Sequence, residues 1–296
     1  MVSDDRGIKD KAFYVRRMFA SIARRYDLLN SVLSLGRDRS WRRFAVSLTE
    51  VSPGGLVLDV AAGTGKIAYM VAGRNPQSTV VGVDFCPEML AVARKRSVKV
   101  GSPHPISQIP LGPPLQKGER VWAHFDTPLR DTPNPPGPSD TGRTPLFRRS
   151  VENTVGGRVH FVQGDALRLP FPDNTFDCIT IGFALRNVVG IEDLFRELER
   201  VAKPGGKLVS LELTRPSVRL LKPLHKLYII SLLRCVGGIV SGKWEAYTYL
   251  PKSILDFPSP QGVKKVMEDA GWREVGIYRL TFGIATVQTG IKGVVR

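Results

Sequence analysis

The chain has 296 residues, 42% of them hydrophobic, which is enough for a core in one large or two small domains. Its three cysteines are isolated and odd in number, so neither a disulfide framework nor a zinc site is indicated. No stretch of 18 clean apolar residues occurs and the N-terminus has no apolar core, so we expect no membrane-spanning helix, no signal peptide and a reduced, cytoplasmic setting. The formal net charge of +16 favours an acidic partner such as nucleic acid or an anionic membrane surface, unless the surface is simply basic.

Residues 11–50 are predicted to be helical, with Phe13, Phe19, Ile22 and Tyr26 on one apolar face. The same segment is rich in arginine. Two interpretations stay open: a solvated helix face, or a lid that packs over a cofactor pocket and touches an anionic surface.

Residues 56–90, LVLDVAAGTGKIAYMVAGRNPQSTVVGVDFCPEML, predict a mononucleotide-binding βαβ unit. The run Leu56-Val57-Leu58 is typical of a buried parallel strand and stops at Asp59. A loop of small residues and a helix follow, and a second strand, Thr79 to Val83, ends at Asp84. Such a loop lets backbone approach a ligand at the helix N-terminus, and the late acid can bind ribose hydroxyls.

The loop departs from a dinucleotide-binding fingerprint, because Ala61 and Ala68 stand at its first and last glycine positions. Asp59, expected at the mouth of the first strand, would repel a pyrophosphate and attract a positively charged ligand. S-adenosylmethionine offers a sulfonium, an ammonium, a carboxylate for the helix N-terminus and a ribose for Asp84. The alternative is a bare turn that needs glycine for its backbone conformation.

Two later segments interrupt the alternation of strands and helices. Residues 101–150 hold 11 of the chain's 22 prolines and predict a disordered insertion that interrupts a fold rather than separating two domains. Residues 215–245 are both basic and apolar, which fits either a core helix or a substrate-entry helix that rests on a membrane surface.

Between these segments the alternation resumes. Val159 to Val162 predicts a third strand ending at Gly164-Asp165-Ala166, where the acid either reaches an adenine amino group or lies in solvent. Phe176 to Ile181 predicts a fourth strand, whose end brings Arg186 and Asn187 to the cofactor crevice. The remaining predicted elements are a helix at 191–202 that stops at the turn Lys203-Pro204-Gly205-Gly206, a strand from Lys207 to Leu213, a helix from Gln261 to Ala270, and a closing antiparallel hairpin made of Glu274 to Thr281 and Ile284 to Ile291.

Several segments together carry a family resemblance: MFASIARRYDLLNSVLSLGRDRSWRR, VLDVAAGTG, VVGVDFCPEML, LPFPDNTFDCITIGFALRNV, VAKPGGKLVSLEL and the tail from YLPKSILDFPSP. They resemble the UbiE/MenG/Coq5 family of S-adenosylmethionine-dependent C-methyltransferases of menaquinone and ubiquinone biosynthesis. The likeness covers almost the whole chain except roughly 101–150.

The resemblance implies an α/β fold, with a seven-stranded, mostly parallel Rossmann-like sheet and helices on both faces. With the arginine-rich helices interpreted as a lid, the predicted domains are an N-terminal helical lid at 1–50 and a class I methyltransferase domain at 51–296, interrupted by the insertion at 101–150. Family cofactor positions map onto Thr64, Asp84 and the pair Asp165-Ala166; the family often has Ser where Gly182 stands here. With the loop analysis, the predicted cofactor-binding residues are Thr64, Asp84, Asp165, Ala166, Asp59, Gly63 and Gly65.

A methyl acceptor carbon must be electron-rich, which suits a reduced, prenylated quinol with an ionised ring hydroxyl. We expect Arg186 to stabilise the phenolate directly or through a water, with Asn187 beside it and Tyr26 lining the pocket or relaying a proton. Each of the three fits a purely structural role as well. No metal is predicted.

Rival functions remain at this stage. An RNA methyltransferase would account for the charge, although no separate RNA-binding domain is evident and no nucleic-acid partner is expected. A nucleotide- or NAD-binding oxidoreductase, or a non-catalytic binding protein, would account for the βαβ unit. Peripheral contact with the inner face of the membrane is expected from a lipid product. The sequence decides neither between monomer and homodimer nor between the menaquinone and ubiquinone pathways.

Overall fold

The structure is a computed structural model that describes residues 5–96, 159–216 and 253–294. The predicted insertion at 101–150 lies outside these residues, as does all but the beginning of the basic, apolar segment at 215–245. None of the helices within the described ranges is long and apolar enough to cross a membrane.

Helices and strands alternate through most of the described chain. In chain order they are α1 (Asp5–Ile22), α2 (Tyr26–Leu33), α3 (Asp38–Ser47), β1 (Leu56–Val60), α4 (Lys66–Arg74), β2 (Thr79–Asp84), α5 (Pro87–Lys95), β3 (Val159–Gln163), β4 (Phe176–Gly182), a 3-10 turn (Leu185–Asn187), α6 (Ile191–Val201), β5 (Ala202–Leu213), α7 (Pro260–Asp269), β6 (Trp272–Leu280), a second 3-10 turn (Thr281–Gly283) and β7 (Ala285–Lys292).

The seven strands form one sheet in the order β3-β2-β1-β4-β5-β7-β6. Strand β7 runs antiparallel to both of its neighbours, and the other pairs are parallel. The predicted fold class and the closing antiparallel hairpin are confirmed. Because the strand order reverses between β1 and β4, their carboxyl ends open the crevice in which α/β sheets bind ligands.

Each inner strand is buried on both faces, as expected for a parallel sheet covered by helices. In β1, Leu58 and Val60 belong to one core, which α6 and α7 cover, and Val57 belongs to the other, which α3 and α4 cover. Helix α3 therefore shares a layer with α4, so the end of the N-terminal segment packs on the same face as the glycine loop.

The predicted turn at Lys203 to Gly206 lies inside a strand instead of ahead of one. Phe176 pairs with Ala202, but Cys178 pairs with Lys207, so the four residues between them bulge out of β5. A side chain at Gly206 would place its Cβ 2.7 Å from the Lys203 carbonyl oxygen, which explains why glycine stands there. The turn was predicted correctly, and the start of the strand was wrong by five residues.

Candidate active site

The loop between β1 and α4 is built from backbone conformations that few residues adopt. Gly63 and Gly65 have φ values of 55° and 76°. A Cβ on Gly65 would lie 2.7 Å from the ring of Phe161, so both conformation and space require glycine there. Ala61 also has a positive φ, 52°, although it carries a Cβ. Ala61, which replaces the first glycine of the dinucleotide-binding fingerprint, therefore keeps the positive φ that a glycine would adopt there.

Asp84, at the end of β2, lies against this loop. One carboxylate oxygen accepts a hydrogen bond from Gly63 N at 2.7 Å and the other from Cys86 N at 2.8 Å. The residue is 5% exposed, and burial raises the pKa of its carboxyl group to about 6. Since each carboxylate oxygen has two lone pairs, Asp84 keeps the capacity to accept hydrogen bonds from ribose hydroxyls.

Asp59 lies under the loop instead of at an open mouth. It is the fourth residue of β1, is 1% exposed and stands in register with Thr180 of β4. Thr180 Oγ1 donates to one carboxylate oxygen at 2.7 Å, and Ala68 N, in the first turn of α4, donates to the other at 3.0 Å. Burial raises the pKa of Asp59 to about 7. The expectation of a strand-mouth acid differs from this arrangement because β1 extends one residue further, to Val60.

Asp27, which the sequence did not single out, joins the N-terminal helices to the loop. Thr64 Oγ1 donates to a carboxylate oxygen of Asp27 at 2.8 Å, and the Arg96 guanidinium pairs with the other oxygen. Lys66, the first residue of α4, brings its Nζ to 3.4 Å from Asp27 and 3.7 Å from Asp38. The only sequence signal was indirect: Asp27 stands in the YDLLN part of the resemblance.

The loop after β3 carries the predicted adenine-side residues. Asp165 is half-buried, and one of its carboxylate oxygens accepts from Leu167 N at 2.9 Å, while Ala166 packs against the core. Gly164 N donates to the backbone carbonyl of Asp84 at 3.1 Å. The ends of β2 and β3 are thereby held together, with Asp84 and Asp165 at the same edge of the sheet.

Arg186 is held in a buried ion pair. It lies in the 3-10 turn after β4, is 9% exposed, and its guanidinium pairs with Glu212 near the end of β5. Glu212 also accepts from Leu213 N at 2.8 Å and from Arg186 N at 3.4 Å. Within the described residues, Arg186 Nε is buried and has no hydrogen-bond partner. The sequence alone gave one signal for Glu212, a carboxylate inside the apolar run KLVSLEL.

Asn187 and Tyr26 lie in different surroundings. Asn187 follows Arg186, and its amide nitrogen is 3.4 Å from the Phe183 carbonyl oxygen. Tyr26 packs edge-to-face on Phe19, with ring centroids 5.7 Å apart, in a small cluster with Cys86 near the end of β2. Tyr26 therefore lies beside the Asp84 turn, and its packing partners are not those of Arg186.

The end of β4 is shaped by Gly182 and Phe183. A Cβ on Gly182 would lie 2.2 Å from Ile67 Cδ1, so the side chain of α4 occupies the space that a serine would need. Phe183 has a φ of 59°, and the Arg42 guanidinium of α3 lies 4.9 Å above its ring. The N-terminal helices thus pack against the loop through Asp27 and against β4 through Arg42.

With this geometry in place, the chain can be compared with known proteins. A family model described as the ubiE/COQ5 methyltransferase family matches residues 6–108 and 146–292. The chain belongs to this family. It is therefore a methyltransferase, and the resemblance seen in the sequence is confirmed.

Curated relatives of this methyltransferase span nearly its full length. It is 37% identical over 287 residues to the ubiquinone/menaquinone biosynthesis C-methyltransferase UbiE of Geobacter sulfurreducens, covering 97% of this chain and 91% of the relative. It is 38% identical over 285 residues to the demethylmenaquinone methyltransferase of Deinococcus radiodurans, covering 96% and 95%.

Solved structures share the fold at low sequence identity. A methyltransferase of Thermotoga maritima superposes with a TM-score of 0.51 at 16% identity, covering 93% of this chain and 99% of that one. Human N-acetylserotonin methyltransferase, solved with S-adenosylmethionine, superposes with a TM-score of 0.51 at 15% identity, covering 94% and 59%. These likenesses establish the fold of the family member and nothing about its acceptor.

Proposed function

We propose that this methyltransferase binds S-adenosylmethionine at the β1–α4 loop and methylates a ring carbon of a prenylated quinol, either a demethylmenaquinol or a ubiquinol precursor. The names of its relatives support the acceptor class. The observation that carries the cofactor assignment is the placement of Asp84 against a glycine loop that opens a helix.

The residues around the loop fit this cofactor. The backbone N–H groups of Lys66 and Ile67 begin α4 and have no acceptor within the helix, so they can bind a carboxylate. Asp84 would hold the ribose, and Asp165 with Ala166 would lie beside the adenine. Asp59, which lies 1% exposed beneath the loop, contributes by fixing it through the hydrogen bonds from Thr180 and Ala68.

When bound, S-adenosylmethionine supplies an electrophilic methyl group, and the chain's task is to orient an acceptor carbon in line with it. Arg186 would stabilise the negative charge on the acceptor's ring oxygen. Its charge is balanced by Glu212, which also fixes the orientation of the guanidinium. Arg186 Nε is the donor best suited to that oxygen, because the described residues offer it no acceptor.

The acceptor is tested by assaying transfer of labelled methyl groups to reduced demethylmenaquinone and to a reduced ubiquinone precursor side by side. We expect turnover on at least one of them and none on the oxidised quinones, because oxidation removes the ring hydroxyl that donates electron density. Labelling of neither quinol would contradict the proposed acceptor. Steeply salt-dependent methylation of RNA would assign the enzyme to nucleic acid instead.

The cofactor site is tested separately by calorimetric titration with S-adenosylmethionine and with NADH. We expect binding of the first alone, and Asp84→Asn should weaken it by at least tenfold. Asp193→Asn, which alters an exposed carboxylate on α6, is the matched control and should bind normally. Equal affinity of the two variants would refute the role given to Asp84.

A further inference from the structure

A row of exposed aliphatic side chains runs along helix α2 and the turn after it. Leu28, Val32 and Leu35 are 59%, 40% and 75% exposed. Leu28 and Val32 lie four residues apart on one face of α2, and Leu35 lies in the turn just beyond the helix, while Leu29 is buried in the protein. Three aliphatic side chains aligned in water indicate a surface that is covered in use.

Leu35 also has a backbone conformation that is unfavourable for leucine. Leu35 has a φ of 50°, the left-handed region that glycine or asparagine adopts more easily than leucine. The neighbouring Gly36 has a φ of 76°, and an added Cβ there would meet nothing within 4 Å. Leu35 is three-quarters exposed and has an unfavourable backbone conformation, so its side chain buries little apolar surface within the protein that would offset this strain.

The charges around this row all have one sign. From Phe13 to Thr49 the exposed charged side chains are those of Arg17, Arg24, Arg25, Arg37, Arg39 and Arg43. The segment has two acids, and both face cations within the protein: Asp27 pairs with Arg96, and the buried Asp38 pairs with Arg42. A partner that contacts residues 24–43 therefore meets mainly positive charge, and the exposed Glu50 beyond α3 faces Lys207 Nζ at 3.1 Å.

We propose that this surface, made of Leu28, Val32 and Leu35 with the arginines that precede and follow them, docks on an anionic lipid bilayer. The three aliphatic side chains enter the boundary between headgroups and acyl chains, and the arginines bind lipid phosphates. The apolar row favours a bilayer over nucleic acid, whose backbone would leave the leucines in water. This inference goes beyond the proposed function and does not depend on which quinol is methylated.

The proposal is tested by flotation of the full chain with vesicles of an equimolar mixture of phosphatidylcholine and phosphatidylglycerol, and with vesicles of phosphatidylcholine alone. We expect binding to the mixed vesicles to be at least tenfold stronger and to weaken as salt is raised. Arg37→Glu combined with Arg39→Glu should weaken it by about tenfold or more. Lys265→Glu, which changes an exposed charge on α7, is the matched control and should bind normally.

Leu35→Gly separates a docking role from a structural one. It removes an exposed side chain and relieves the left-handed backbone, so the variant should unfold at the same temperature as the parent or higher. It should nevertheless bind mixed vesicles about fivefold to tenfold more weakly, because part of a leucine's transfer energy is lost. Val294→Ser, at another exposed aliphatic residue, is the control. Turnover of Leu35→Gly on a short-chain, water-soluble quinol should be unchanged.

Four outcomes would overturn the proposal. The first is failure of the parent protein to float with mixed vesicles, and the second is unchanged binding by Leu35→Gly. The third is a concentration-dependent dimer that Leu28→Ser dissociates, since the row would then be covered by a second copy of the chain. Competition of RNA for the same arginines, without any effect of the leucine substitution, would assign the surface to nucleic acid.

Discussion

The buried ion pair between Arg186 and Glu212 allows the structural and chemical contributions of Arg186 to be measured apart. Replacing Arg186 by Met leaves a carboxylate that is almost fully buried without its cation. Such a change costs about 3–5 kcal/mol of the free energy of unfolding.

Replacing Glu212 requires a choice of variant, because its side chain also accepts from Leu213 N and Arg186 N. Leucine would leave these N–H groups without an acceptor, at about 1–3 kcal/mol each. Glutamine removes the charge and keeps one acceptor oxygen for Leu213 N, while its amide nitrogen replaces the oxygen that lies 3.4 Å from Arg186 N. Glu212→Gln should therefore cost about 3 kcal/mol through the unpaired Arg186, and Glu212→Leu more.

The double variant Arg186→Met/Glu212→Gln has neither buried charge. We expect urea unfolding to show that it loses less stability than the sum of the two single variants, with a coupling energy of about 3 kcal/mol. The matched control cycle uses the exposed pair Arg196 and Asp193, whose coupling should be below about 1 kcal/mol. Additive losses at Arg186 and Glu212 would refute the pairing as an energetic unit.

The same double variant then tests catalysis in a protein that is still folded. If Arg186 stabilises the ring oxygen of the acceptor, turnover should fall at least a hundredfold while the affinity for S-adenosylmethionine stays within about threefold of the parent value. If the pair only holds the 3-10 turn in place, turnover should return with stability. Recovery of turnover would therefore remove Arg186 from the reaction.

Three further predictions concern the surroundings of the loop. Burial raises the pKa of Asp59 from 3.8 to about 7, so the free energy of unfolding falls by at most about 4 kcal/mol as the pH rises between those values. Urea unfolding of Asp59→Asn should not show this fall. The same pH dependence in the parent and the variant would contradict the prediction. Gly182→Ser should lower the free energy of unfolding by about 1–3 kcal/mol, because the new side chain contacts Ile67 Cδ1. Ile67→Val deletes that atom, so the double variant should lose less stability than the two single variants added together. Additive losses in thermal denaturation would disprove the contact. Asp27→Asn removes the charge that faces Arg96 and Lys66 but leaves an acceptor for Thr64. Calorimetry should show a several-fold loss of affinity for S-adenosylmethionine, with the melting temperature nearly unchanged. An unchanged affinity would show that the link between Asp27 and the loop is not needed for binding.

The strand pattern could be predicted closely because burial acts on every residue of a parallel strand. The predicted second strand and its terminal acid match β2, which ends at Asp84. The closing hairpin was predicted within two residues of the ends of β6 and β7. The positions of the strands can be read from the local alternation of apolar runs with helical segments, and no knowledge of long-range contacts is needed.

The partners of individual side chains could not be predicted in the same way. Thr64 bonds Asp27 across 37 positions of sequence, and Arg186 pairs with Glu212 across 26. Which acid pairs with which cation depends on how the helices pack on the sheet, and the local periodicity of the sequence does not encode that packing. The left-handed backbone of Ala61 was hidden for a similar reason: alanine gives no signal for positive φ.

Acids near the ends of neighbouring strands look alike in the sequence, yet their hydrogen bonds assign them different tasks. Asp59, which is 1% exposed beneath the loop, accepts from Thr180 and Ala68 and so fastens β1 to β4 and to the start of α4. Glu212 pairs with Arg186 and accepts a hydrogen bond from the neighbouring Leu213 N. Among the described residues, Asp84 accepts hydrogen bonds from the backbone N–H groups of Gly63 and Cys86 in the adjoining turns, and it lies against the loop. A strand-end acid alone therefore does not identify a ribose ligand. Of these three, Asp84 is the one bonded to turns at the edge of the glycine loop, and that placement supports the role proposed for it.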